Sequence, residues 1–127
     1  LFMMCFVGMP TIFYGDELGV QGIREEEYRA PMPWKGGDMA LSGFFRKAIA
    51  MRHALSPLRD GTFQMLSAEE GSRVIRFRRD TGAASVTVAI NAGNTAAAIP
   101  QSEEKLYWAE GLQNGILSPG GFSVTYR

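Results

Sequence analysis

After Pro57 the chain becomes a succession of short strand-like runs, and no other feature restricts its fold so much. "TFQML", "RVIRFRR", "SVTVAIN", "AAAIP", "KLYWA" and "FSVTYR" are short and mostly rich in β-branched or aromatic residues. The stretches "EEGS", "DTGA", "NAGN" and "SPGG" between them are turn chemistry. Several short strands at this spacing predict an antiparallel β-sandwich over residues 58–127. Within Arg73–Arg79, Ile75 and Phe77 alternate with Arg76 and Arg78. That alternation reads as a strand with a solvated basic face in preference to an anion-binding stripe.

Residues 1–57 have another character. Leu1–Phe6 reads as the last turns of a buried helix, ended by "VGMP", in which Gly8 suits a left-handed cap and Pro10 cannot continue a helix. Thr11–Tyr14 is β-branched and aromatic without polar alternation, which predicts a strand buried on both faces. Such strands belong to parallel α/β sheets and barrels, whose sites lie at the strands' carboxyl ends. Here that end is Gly15-Asp16-Glu17. Gly15–Gly37 lacks periodicity and reads as a long excursion loop. Leu41, Phe44, Phe45, Ala48 and Leu55 then recur at helical spacing, with Asp38 as the cap and Ser56-Pro57 as the stop. The fold class is therefore mainly β with N-terminal helices, an α+β chain dividing at residue 57.

Several functions are excluded early. Lys+Arg and Asp+Glu both number 13, so net charge offers no attraction to nucleic acid or an anionic membrane. One cysteine forbids an internal disulfide, and with one histidine it forbids a Cys/His zinc site. Cys5 reads as a small core hydrophobe, His53 as a helix-face residue and the seven methionines as core filler. The apolar run Leu1–Tyr14 is too short and too broken to span a bilayer, and no basic leader precedes it. We read Leu1 as an edge inside a longer protein.

The motifs carry a resemblance. "GMPTIFYGDELG" (Gly8–Gly19) resembles the segment around the eighth barrel strand of the α-amylase superfamily of glycoside hydrolases, where Gly-x-Pro leads into an apolar strand ending in Tyr-Gly-acid-Glu. "EEEYRAPMPW" looks like that family's loop reading Asp-Pro-x-x-Arg-x-Pro-Met-x-Trp, with Glu25-Glu26 in place of Asp-Pro. "FFRKAIAMRHALSPLRDGTFQML" is similar to the last barrel helix and the link leaving it, and "AINAGN" and "GFSVTY" to the C-terminal sandwich. The nearest flavour is neopullulanase and cyclomaltodextrinase.

The resemblance implies the last strand and helix of a (β/α)8 barrel in residues 1–57, followed by the C-terminal sandwich. It implies cleavage of α-glucosidic bonds with retention, which needs a nucleophile and an acid roughly 5–5.5 Å apart. In the family these come from earlier barrel strands, and nothing here matches their motifs. The chain is thus expected to complete the barrel of a parent hydrolase while lacking its catalytic acids. An α-glucan would reach it only through that parent. No cofactor is implied; calcium is compatible with the parent, but no calcium loop is readable.

Four residues are candidates for the substrate side. Adjacent Asp16 and Glu17 point to opposite faces of an extended chain and are poorly placed as a catalytic pair. By resemblance, Glu17 anchors loops at the barrel mouth and Asp16 is a rim residue. Arg29 offers a planar fork for a carboxylate or sugar hydroxyls, or else braces its loop against Glu25–Glu27. Trp34 either pins the loop or stacks on a pyranose ring. A rival reading is a carbohydrate-binding or assembly module using Trp108 and Tyr107, which a buried Trp108 would deprive of its platform. Finally, the apolar Leu1–Tyr14 run leads us to expect self-association.

Overall fold

The Asn114-Gly115 pair turns the chain with positive φ at both residues, 48° and 76°. This is the two-residue hairpin geometry that matches strand twist. It joins β5 (Lys105–Gln113) to β6 (Ile116–Tyr126). The computed structural model describes residues 1–67 and 73–127. Its other strands are β1 (Thr62–Ser67), β2 (Val74–Asp80), β3 (Ser85–Asn91) and β4 (Ala97–Ala98). All pairings are antiparallel, in the order β1-β2-β3-β6-β4, with β5 on β6.

β6 explains why the strands form one sheet and not two separately bonded ones. Phe122–Tyr126 pairs with β3, whereas Ile116 and Leu117 pair with β4. β5 follows both halves, with a register shift between Glu110 and Leu112. "SPGG" (118–121) therefore lies inside β6 and is not a turn. Gly121 is needed there, since a Cβ would come within 2.9 Å of Ser118 O and 3.0 Å of Glu110 O. The expected mainly β, antiparallel region is present. The "EEGS" turn falls outside the described residues.

α1 (Phe2–Cys5) and α2 (Glu25–Tyr28) are single turns, α3 spans Met39–Ala54 and α4 Pro57–Asp60. α1, α3 and α4 cover one face of the sheet. Asp38 caps α3, its Oδ1 accepting from Leu41 N at 2.9 Å. Ser56-Pro57 does stop α3, and Pro57 then opens α4. Met51 and Leu58 pack against Phe77, Val86, Val88 and Val124 in one shared core. Cys5 lies within that core, fully buried, and burial pushes its thiol up to about 12. His53 is exposed on α3.

Two expectations need correction. Thr11–Tyr14 is not a strand. Among the described residues nothing pairs with it, and a strand exists only as part of a ladder. It is not buried on both faces either, since Phe13 and Tyr14 are 49% and 44% exposed. The solvated face of β2 also needs qualification. Arg79 shares a face with Ile75 and Phe77 and is only 1% exposed. Arg76 and Arg78, on the opposite face, are half-buried.

Candidate functional site

Gly15 ends the apolar run in the left-handed region, φ 92°, and opens a 3-10 turn over Asp16–Leu18. A Cβ on Gly15 would meet Val20 at 2.9 Å, so the close return of the chain requires glycine. Both acids fold back onto the end of the run. Asp16 Oδ2 accepts from Phe13 N at 3.2 Å, and Glu17 Oε2 accepts from Gly15 N at 3.1 Å. The loop closes where Asp38 N donates to Leu18 O at 2.9 Å. One hydrogen bond thereby joins the acidic turn to the cap residue of α3.

Beside the turn lies a groove of about 360 Å³ between Ile12–Glu17 and α3. Ile12, Phe13 and Tyr14 line one side, and Phe45 and Ile49 the other. Its polar groups are Glu17, Ser42 and Arg46, with Arg46 Nη2 donating to Ser42 Oγ at 3.4 Å. Such a groove can accept an apolar surface along its length and a hydrogen-bonding group at the Glu17 end.

The other two candidates stand on the excursion. Arg29 Nη1 pairs with Glu25 Oε1 at 2.8 Å, both side chains largely exposed. Trp34 is 88% exposed, so it does not pin the loop. Nearby, Glu27 accepts from Ile23 N and Arg24 N, and these bonds hold its carboxyl below the usual range. The structure thus brings Glu17 to the groove, keeps Asp16 beside it on the same turn, and leaves Arg29 and Trp34 out of its lining. Among the described residues no group of three metal-binding side chains comes together.

Trp108 is 5% exposed. Its ring packs 4.9 Å from Phe44 and 5.0 Å from Phe122, with Lys47 Nζ 4.2 Å above it. The binding-module reading therefore has no platform there, and Tyr107, 39% exposed, has its ring edge-on to Tyr126 at 6.0 Å.

No family model matches the chain. Cyclomaltodextrinase of a Bacillus species is 37% identical over 100 residues, 75% of this chain and 18% of the relative. Neopullulanase 2 of Thermoactinomyces vulgaris is 33% identical over 93 residues, 72% of this chain and 16% of the relative. The debranching enzyme of Nostoc punctiforme superposes with a TM-score of 0.81 at 26% identity, over 98% of this chain and 29% of that one. The chain belongs to the α-amylase family of glycoside hydrolases.

It spans less than a fifth of the length of these curated relatives. The maltogenic amylase of S. marinus, at 24% identity and a TM-score of 0.82 over 98% of this chain, shares its fold. Within this α-amylase-family chain, three polar side chains that the sequence reading passed over are held by several hydrogen bonds each. Glu104 accepts from Arg78, Thr87 and Thr125. Arg79 and Arg52 donate to backbone carbonyls of residues 4–8. For Arg79 a signal existed, because in β2 it has the same parity as Ile75 and Phe77. For Glu104 there was none, as its partners lie on three strands.

Proposed function

We propose that this chain is the C-terminal part of a retaining α-glucan hydrolase. Residues 1–57 belong to its (β/α)8 barrel, with Thr11–Tyr14 as the last strand and α3 as the last helix. Residues 58–127 are the C-terminal β domain. One observation carries the reading: an apolar, strand-like segment lies unpaired along α3, with Phe13 and Tyr14 turned to solvent. Such a segment with its helix is one unit of a parallel α/β sheet whose neighbouring strands lie elsewhere. Asp16 and Glu17 then stand at the carboxyl end, where barrel sites are built.

In this reading Glu17 holds the end of the strand and Asp16 the rim. Arg29 and Trp34 reach the substrate side from the loop, by guanidinium hydrogen bonds and by ring stacking. The nucleophile and the acid come from outside these residues. The purified 127-residue chain should accordingly leave starch, pullulan and cyclodextrins intact. A protein read upstream of Leu1, with barrel strands carrying the two acids, should hydrolyse them with retention. Turnover by the folded chain alone that disappears in Asp16→Ala or Glu17→Ala would overturn the proposal.

A further inference from the structure

Arg79 is buried without an ion pair to any carboxylate among the described residues. Its guanidinium is satisfied by backbone. Nη1 donates to Cys5 O (3.3 Å), Phe6 O (3.0 Å) and Leu58 O (3.1 Å), and Nη2 to Gly61 O at 2.7 Å. Nε lies 3.3 Å from both Gly61 O and Thr62 O. From α3, Arg52 reaches the same segment: Nη1 donates to Met4 O at 2.8 Å and Phe6 O at 3.3 Å, and Nη2 to Gly8 O at 2.6 Å. Two cations from different elements thus converge on the carbonyls of residues 4–8. Burial and the neighbouring Arg52 charge draw Arg79 down from its ordinary value. An arginine stays charged through such a shift, whereas a buried lysine sheds its proton far more readily.

We propose that Arg79 and Arg52 form a latch on the carbonyls of residues 4–8, and that this segment parts from the sheet when the latch is released, before the sheet unfolds. The carbonyls of Met4, Cys5, Phe6 and Gly8 end on these two side chains, while the strands beneath are joined by continuous ladders. Aromatic contacts add to the hold: Phe6 meets Phe63 at 5.0 Å and Phe77 at 6.0 Å. Opening therefore requires the guanidinium forks and this ring cluster to part together. Since residues 1–8 lead into Thr11–Glu17, the latch would also position the mouth of the proposed barrel. That consequence rests on the reading above; the latch does not.

Cys5 reports on the opening. It is fully buried under Arg79's acceptors, with its thiol raised from 9.0 to about 12. At a given pH the closed segment holds about a thousandfold less thiolate than an open one. A thiol reagent therefore reaches Cys5 through opening. The experiment is iodoacetamide labelling at pH 8, read by mass spectrometry of the Cys5 peptide, with far-UV circular dichroism to follow the sheet. Arg79→Met should label on the order of a hundredfold faster than the unaltered protein with the sheet intact, Arg79→Lys at an intermediate rate and Arg52→Met about tenfold faster. In the unaltered protein, the labelling rate should rise with urea along a shallower slope than loss of the sheet. Unchanged labelling in a folded Arg79→Met overturns the latch. So does a urea dependence of labelling that coincides with global unfolding. Should Arg79→Met fail to fold, half-buried Arg52→Met and the urea series decide the matter alone.

Discussion

Replacing Glu104 should be costly, because it ties together the face of the sheet away from the helices. Arg78 is opposite Thr87, and Thr87 opposite Thr125, so one row crosses β2, β3 and β6. Glu104, just before β5, reaches all three. Its Oε1 accepts from Arg78 Nη2 at 2.9 Å and Thr87 Oγ1 at 3.1 Å, and its Oε2 from Thr125 Oγ1 at 2.6 Å. The carboxylate side chain is 7% exposed, and that of Arg78 30%. Net worth is about 1 kcal/mol for a neutral hydrogen bond and 1.5–3 kcal/mol for one to a charged group. Arg78 can still take water when its partner leaves, so Glu104→Ala should cost about 2–4 kcal/mol. That corresponds to a fall in Tm of roughly 10 °C for a chain of this size. Burial alone would raise the Glu104 pKa, but the bonds from Thr125 and Thr87 and the charge of Arg78 outweigh it and hold it below 4.5. A depressed carboxylate stabilises fully above its unfolded value and loses that contribution as the pH falls through the folded one. The stabilisation should therefore stand above about pH 5 and fade below the unfolded value of 4.5. Urea unfolding of the wild type and Glu104→Gln between pH 7 and pH 3 checks this. The two stability curves should converge on the acid side. Curves that stay parallel, or a loss below about 0.5 kcal/mol in Glu104→Ala at pH 7, would refute the reasoning.

Gly115→Ala should lower stability by about 1–2 kcal/mol, because its φ of 76° is left-handed while a Cβ would meet nothing closer than Ile99 O at 3.8 Å. Chemical denaturation should show Gly115→Asn milder than Gly115→Ala. Arg29→Ala should cost less than about 1 kcal/mol in the same assay, since its pair with Glu25 is exposed. In the full hydrolase it should reduce kcat/KM by about ten- to a hundredfold, the worth of a charged hydrogen bond; full activity with a much lower Tm would make Arg29 a loop brace. The 127-residue chain, with Phe13, Tyr14 and Met9 in solvent, should self-associate through Phe6, Ile12, Phe13 or the face of α3. A clean monomer in light scattering at high concentration, with that segment packed on its own chain, would refute this.

What could be read from the sequence depended on how local the cause was. The strands after Pro57 were legible because alternation and turn residues are local signals. α3 was legible through its periodicity and the Asp38 cap, which works over three residues. "SPGG" misled because proline and glycine serve a bulge as well as a turn. The Asn114-Gly115 pair was the stronger hairpin signal and was passed over. Thr11–Tyr14 failed as a strand for a non-local reason, since among the described residues no strand lies beside it to form a ladder. Asp16 and Glu17 were legible as acids ending an apolar run. Their engagement with Phe13 N and Gly15 N was not, because it depends on the left-handed turn at Gly15.

The boundary at residue 57 is a boundary of chemistry more than of packing. Residues before it are helix and loop, and every strand among the described residues lies after it. Yet Cys5, Ala48 and Met51 from the first part share a core with Phe77, Val88 and Val124 from the second. Arg79 of β2 reaches back to Cys5 and Phe6 while also holding Leu58, Gly61 and Thr62 at the junction. While those bonds are closed, a sheet that supplies both the apolar bed and the charged donors for α1 moves together with it. In the proposed hydrolase, displacement of the β domain would therefore pass through residues 4–8 to Thr11–Glu17 at the barrel mouth. A domain far from the reacting bond would in this way influence the site through packing and two guanidinium groups, without touching substrate.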